Sequence, residues 1–173
     1  LRFEKISIDQ GLSHSTVTTI HLDKKGFLWF GTQDGLNRFD GYNFTIYKSD
    51  YSDSTSISNN DIKTIAEDLD GYIWIGTPGG GINRFDPLTQ TFTRYNITLE
   101  NAESKIPGEI LQIVIDSTNN VWVTSSSGKL KKFNAQSDTF IDIEMDPSLS
   151  VSPISTMVTG SKNDLWLGTL NHG

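Results

Sequence analysis

Three histidines, His14, His21 and His172, and 21 carboxylates are the side chains best able to do chemistry in this chain of 173 residues, which has no cysteine. Without cysteine there are no disulfides, thiolate metal sites or thiol nucleophiles. No spacing among the histidines suits a metal. Asp68-Leu69-Asp70-Gly71 resembles the start of a calcium loop, but the twelfth position, where a bidentate Glu is needed, falls at Gly79. Gly79-Gly80-Gly81 could cradle a phosphate, yet a strand follows it where a phosphate loop wants a helix and usually a Lys. Metal, phosphate and nucleophile chemistry therefore lack their residues, and no cofactor is expected. What remains is hydrogen bonding. His14, Gln33, Asp34, Asn59, Asn60, Asp61, Ser125 and Ser126 all fall in segments between strand-like stretches. Such polar side chains suit a polyol ligand, and they are the candidate ligand-binding residues.

The elements that position them come from a repeat. Trp29, Trp74, Trp122 and Trp166 are spaced by 45, 48 and 44 residues. A period of this size marks propeller blades or solenoid units. Aligned on Trp, the units read VTTIHLDKKGFLWFGT, IKTIAEDLDGYIWIGT, ILQIVIDSTNNVWVTS and ISTMVTGSKNDLWLGT. Three residues before each Trp stand Gly26, Gly71, Asn119 and Asn163, the residue types that enter the left-handed region at least cost. Three residues earlier, Asp23, Asp68 and Asp116 can accept turn N–H groups, whereas the fourth unit has Gly160. Its first hairpin is expected to be the least rigid.

Each unit continues through a second turn (Asp34-Gly35, Gly79-Gly80, Ser127-Gly128), a third strand (LNRFD, INRFD, LKKFN) and a fourth (FTIYK, FTRYN, FIDIE). Four short antiparallel strands make a propeller blade, so the fold class is all-β. The expected organisation is 1–10 as the outer strand of a closing blade, 11–50 as the first blade, 51–98 as the second, 99–147 as the third and 148–173 as a truncated fourth. Arg2–Ile6 is expected to be that outer strand. No signal peptide is visible, and the chain is expected to be a piece of a larger ring, most naturally of seven blades. The tryptophans, each between apolar neighbours, are expected in the core rather than as sugar-stacking platforms. On the predicted topology Asp34 and Asp61 share one face of the ring with Gln33, Asn59, Asn60, Ser125 and Ser126, and His14 lies in the loop before an inner strand.

A formal net charge of −7 and a pI near 4.8 argue against nucleic acid or an anionic membrane as partner. No apolar run approaches the ~18 residues of a membrane span.

The pattern D-x-x-G-x-(L/I)-W-(F/I)-G-T, then G-(L/I)-N-R-F-D, then F-T-x-Y resembles the two-component regulator propeller repeat. It is strong in the first two units. The third departs, with Thr124-Ser125 for Gly-Thr and Lys131-Lys132 for Asn-Arg. The resemblance implies the N-terminal part of the periplasmic sensor of a hybrid two-component histidine kinase, with an oligosaccharide as input and transcription as output. It implies the remaining blades of the same receptor as partners and no catalysis in this region. Two other readings stay open: a propeller-type polysaccharide or antibiotic lyase, and a non-catalytic interaction scaffold. The orphan outer strand and unfinished last blade also suggest a homodimer through blade completion.

Overall fold

The computed structural model describes residues 5–96, 109–126, 128–145, 154–160 and 164–169. Its strands are β1 (Val17–Leu22), β2 (Leu28–Thr32), β3 (Gly35–Phe39), β4 (Phe44–Tyr47), β5 (Thr64–Glu67), β6 (Ile73–Thr77), β7 (Gly81–Asp86) and β8 (Thr91–Tyr95). They continue as β9 (Ile110–Ile115), β10 (Val121–Ser125), β11 (Leu130–Asn134), β12 (Thr139–Asp142), β13 (Ile154–Thr159) and β14 (Leu165–Thr169). Consecutive strands pair antiparallel in sheets β1–β4, β5–β8, β9–β12 and β13–β14. The fold is therefore a row of propeller blades, three of four strands and one described by two.

The turn chemistry that builds each first hairpin is the expected one. Gly26, Gly71 and Asn119 have φ of 90°, 87° and 66°. Asp23 Oδ1 accepts from the amides of Lys25 and Phe27 at 3.0 and 2.8 Å, and Asp68 and Asp116 repeat this on their own turns. Asn163 and Ser127, placed in turns from the sequence, lie outside the described residues.

Each hairpin carries its Trp to a seam between blades. Trp29 stacks on Tyr47 of its own blade (centroids 6.0 Å, 19°) and meets Phe85 of the next edge-on (5.3 Å, 65°). Trp74 repeats this with Tyr95 (5.7 Å, 27°) and Phe133 (4.8 Å, 61°). Such offset and edge-on pairs satisfy the ring quadrupoles while removing large apolar surfaces from water. Blade-to-blade approach is close enough to require glycine. A Cβ on Gly76 would sit 2.6 Å from Cγ2 of Ile110 in the next blade.

The tryptophans are not uniformly core. Trp29 and Trp74 are 1% exposed, Trp122 is half-buried, and Trp166 is 66% exposed. The reason is the stacking itself: Trp29 is covered by Phe85 of β7, and Trp74 by Phe133 of β11 and Phe140 of β12, in the following blade, whereas the sheet after Trp122 is described by two strands. Among the described residues no further blade packs against Trp166.

The outer strand expected at Arg2–Ile6 falls largely outside the described residues. Residues 1–4 lie outside the described residues, and Lys5 and Ile6 are not in a strand. Ser7 instead starts a short 3-10 turn (Ile8–Gln10) through a reciprocal cap, its hydroxyl taking the Asp9 amide while Gln10 takes the Ser7 amide at 2.8 Å. Leu170–Gly173, including His172, lie outside the described residues as well.

Candidate functional site

The loops over the tops of the first two blades are held by a repeated hydrogen-bonded clamp. In the first, Ser13 N donates to Asn37 Oδ1 (2.9 Å), Asn37 Nδ2 donates to Ser13 Oγ (2.8 Å), and the Ser13 and Thr32 hydroxyls lie 2.9 Å apart. In the second, Ser58, Asn83 and Thr77 repeat it at 2.9, 2.8 and 3.4 Å. Asn37, Asn83, Thr32 and Thr77 have no exposed surface. Each bond therefore satisfies a buried polar atom that would otherwise be costly. The clamp ties the loop before each inner strand to the β2–β3 or β6–β7 hairpin.

This arrangement brings part of the candidate set together. Gly35 N donates to the Asn60 carbonyl at 2.7 Å, so the turn bearing Gln33 and Asp34 abuts the segment Asn59–Asn60–Asp61. Several of these side chains already have protein partners. Asp34 accepts from Lys48 Nζ at 2.7 Å, Asn60 Oδ1 accepts from the Ser49 amide at 2.7 Å, and Asn59 reaches Pro78 O (2.7 Å) and the Asp61 amide (3.0 Å). Gln33 is exposed and Asp61 half-buried. His14, half-buried, accepts from the Thr16 amide through Nδ1 at 3.1 Å. In the third blade Ser125 is buried at 1% exposure and Ser126 is exposed, its amide on the Glu109 carbonyl at 2.8 Å.

Chemically, these loops offer amide, hydroxyl and carboxylate groups on a fixed backbone, suited to hydrogen bonding with a hydroxylated ligand. Among the described residues no three His, Asp or Glu side chains are grouped to hold a metal ion.

Two features were missed by sequence reasoning. One is the Ser–Asn–Thr clamp, for which the signal was the Asn of L/I-N-R-F-D recurring with a Ser in each preceding loop. The other is the second role of the turn Asp. Asp23, Asp68 and Asp116 each accept the indole N–H of their own blade's Trp through Oδ2, at 2.8, 2.7 and 2.9 Å. The constant six-residue interval from Asp to Trp was visible, and a buried Trp N–H needs an acceptor.

A model of the two-component regulator propeller family matches residues 11–34 and 56–79. These are two-component regulator propeller repeats. Both matched stretches contain the clamp Ser, the turn Asp, the Trp and the Thr that ends the second strand, so the repeat is defined by the residues that fix its geometry. A stretch of 56 residues, 32% of this chain, is 54% identical to Histidine kinase P4 of Formosa agariphila, of which it covers 4%. The extracellular domain assigned to a hybrid two-component system of B. thetaiotaomicron superposes with a TM-score of 0.78 at 29% identity, over 96% of this chain and 24% of that one. Virginiamycin B lyase of Staphylococcus aureus, crystallised as an inactive variant with quinupristin, has a TM-score of 0.68 at 18% identity, over 91% of this chain and 50% of the lyase. That likeness shows the propeller fold alone. The chain is thus similar to proteins of hybrid two-component systems, and it spans 4% and 24% of the length of the histidine kinase and of the Bacteroides extracellular domain.

Proposed function

We propose that these repeats form the extracytoplasmic, periplasmic ligand-sensing part of a hybrid two-component receptor, and that the receptor answers an oligosaccharide by controlling transcription through a downstream histidine kinase. The observation that carries this reading is the 96% coverage of the chain by the extracellular domain of a hybrid two-component system, at 29% identity. The loop face is the proposed contact surface. His14, Gln33, Asp34, Asn59, Asn60, Asp61 and Ser126 supply donors and acceptors there, whereas Ser125, expected in a loop, ends β10 and is buried; the Gly35–Asn60 bond makes the first-blade turn and the second-blade loop one unit. A ligand bridging that unit would favour one relative setting of the blades, and a receptor can transmit only such a difference in affinity between states. This region's role is binding and not catalysis. Further blades of the receptor are the proposed partners of its two open blade faces, and a second copy takes that place when the chain stands alone. Nucleic acid and membrane are not partners of this region. Among the described residues no helix is long and apolar enough to cross a membrane.

The test is a thermal-shift and calorimetric screen of the chain against neutral and acidic oligosaccharides. One glycan class should raise Tm, by an amount set by its concentration relative to Kd. Asp61→Ala and Gln33→Ala should each weaken that binding without lowering the Tm of the free chain. A glycan consumed during the titration would support the lyase reading, and binding unaffected by both substitutions would remove the loop face from the account.

A further inference from the structure

The joints between successive blades are built alike, which makes a difference between two of them informative. At the second joint, Arg84 of β7 lies over Trp74, Tyr72 and Tyr95, with its guanidinium carbon 5.1–5.6 Å from the ring centroids. One carboxylate serves this group: Asp138, in the β11–β12 turn of the next blade, accepts from Arg84 Nη1 at 3.4 Å and from Tyr95 Oη at 2.8 Å. At the first joint the cation and the phenol are both repeated. Arg38 of β3 lies over Phe27 at 4.9 Å and Trp29 at 5.9 Å, and Tyr47 stands where Tyr95 stands. The carboxylate is not repeated. The position of Asp138, two residues before the fourth-strand Phe and at φ 50°, is taken by Gln90, at φ 58°.

The consequence is a pair of groups without their anion. Among the described residues Arg38 has no ion pair, and the buried Tyr47 hydroxyl has no hydrogen-bond partner. Burial pushes the phenols of both Tyr47 and Tyr95 up, so Tyr47 remains a donor in search of an acceptor. Beside Arg38 the joint holds a cavity of about 220 Å³, lined by Lys25, Phe27 and Arg38, by Pro87 of the β7–β8 turn, and by the carboxylates Asp23 and Glu67. Those two acids are already engaged. Asp23 takes the Trp29 indole and the amides of Lys25 and Phe27, and Glu67 takes the Lys24 amide at 2.9 Å. Asp40 feels the charge of Arg38, but it is occupied by the amides of Tyr42 and Asn43 at 2.8 and 2.7 Å. The volume is below that of a drug-sized pocket, so it takes a small acid or one acidic sugar unit, not an extended chain.

We propose that this first joint is a binding site for a small organic carboxylate of uronate size, which pairs with Arg38 as Asp138 pairs with Arg84 at the second joint. Arg38 is its charged anchor, a guanidinium suited to a carboxylate, and Phe27 is its apolar wall. The site is distinct from the loop face and independent of that face's ligand.

The test uses glucuronate, with glucose as the uncharged control, at constant ionic strength. The four indole N–H resonances of the chain are followed by NMR, because Trp29 lies at the first joint and Trp166 lies in the fourth blade, past the third joint. Glucuronate should shift Trp29 saturably with a Kd in the millimolar range, leave Trp166 in place, and glucose should do neither. Arg38→Gln should weaken binding at least about tenfold, as expected for loss of a charge-assisted pair. Gln90→Asp should abolish binding by filling the role internally, and should raise Tm. Equal shifts by glucose, unchanged binding in Gln90→Asp, or the absence of any saturable Trp29 shift would overturn the proposal. The Gln90→Asp arm decides the matter even if Arg38→Gln does not fold. A loop-face ligand found by the screen above leaves each of these outcomes unaffected.

Discussion

In each of the first three blades a single carboxylate fixes both a backbone turn and the indole of its Trp. Asp68 takes the amides of Asp70 and Tyr72 through one oxygen and the Trp74 indole through the other. Asp68→Ala leaves three donors unsatisfied around a fully buried Trp, and should cost about 3 kcal/mol in chemical denaturation. The fourth unit supplies the converse experiment. Gly160 occupies the Asp position, and a Cβ there would lie 3.3 Å from the Trp166 indole nitrogen. Gly160→Asp should therefore build the missing lock, slow exchange of the Trp166 indole hydrogen, and stabilise by about 1 kcal/mol. Asp116 adds a pH signature. Burial pushes its carboxyl up, but bonds from Trp122, Asn120 and Thr118 outweigh that and hold it well below the usual carboxylate range. A depressed folded pKa gives stability that is complete above the unfolded value near 4 and is lost as pH falls through the folded one. Stability should decline as pH drops below about 4, and Asp116→Asn should flatten that decline in denaturation curves recorded across the range. At this scale the sequence was legible for the backbone half of the lock, since Gly and Asn before Trp announce a left-handed turn. The indole half is not legible in this way, because a six-residue interval between Asp and Trp is also what the turn alone requires.

At the level of strands, hairpins were legible because each of their constraints is local. The contact between blades is not local, and it was only partly read. Gly76 shows why. Its requirement for glycine comes from Ile110, in the first strand of the following blade, as well as from Thr64 in its own, both with methyl carbons 2.6 Å from an added Cβ. In the G-T pair this looks like a strand ending, not a site of close approach. Gly168, at the same place in the last blade, meets Thr156 Cγ2 of its own blade at 2.8 Å. Gly76→Ala should thus cost about 2–3 kcal/mol by forcing two sheets apart. Gly168→Ala should cost clearly less, since one threonine can shift. Thermal unfolding of the two variants side by side checks the difference. The candidate loop residues illustrate the same limit. The sequence placed Asp34 and Asp61 on a shared face, and the Gly35–Asn60 bond does join their segments. It gave no sign that Lys48, Ser49 and Pro78 already engage Asp34, Asn60 and Asn59.

For the molecule as a whole, burial runs unevenly along the row of blades. Ile65, Ile113 and Met157 are 8%, 4% and 3% exposed, whereas the equivalent Ile20 of the first blade is 60% exposed, with Leu22 beside it at 62%. At the other end Trp166 and its cross-strand partner Val158 are 66% and 61% exposed. Two apolar blade faces thus lack a neighbouring blade among the described residues, a form of surface that marks contact sites. In dilute solution the isolated chain should self-associate through them. Light scattering should give a mass rising toward two chains with concentration, and a constant mass of one chain would exclude the homodimer. The central claim, that the chain is a row of blades each burying its Trp on the next and working through surfaces, has a more direct test. Hydrogen exchange of the four indole N–H groups can be read in one NMR experiment at a concentration where the chain is monomeric. The account predicts Trp29 and Trp74 as the slowest to exchange, Trp122 intermediate, and Trp166 fast. Four equal rates, or a Trp166 as protected as Trp74, would contradict it.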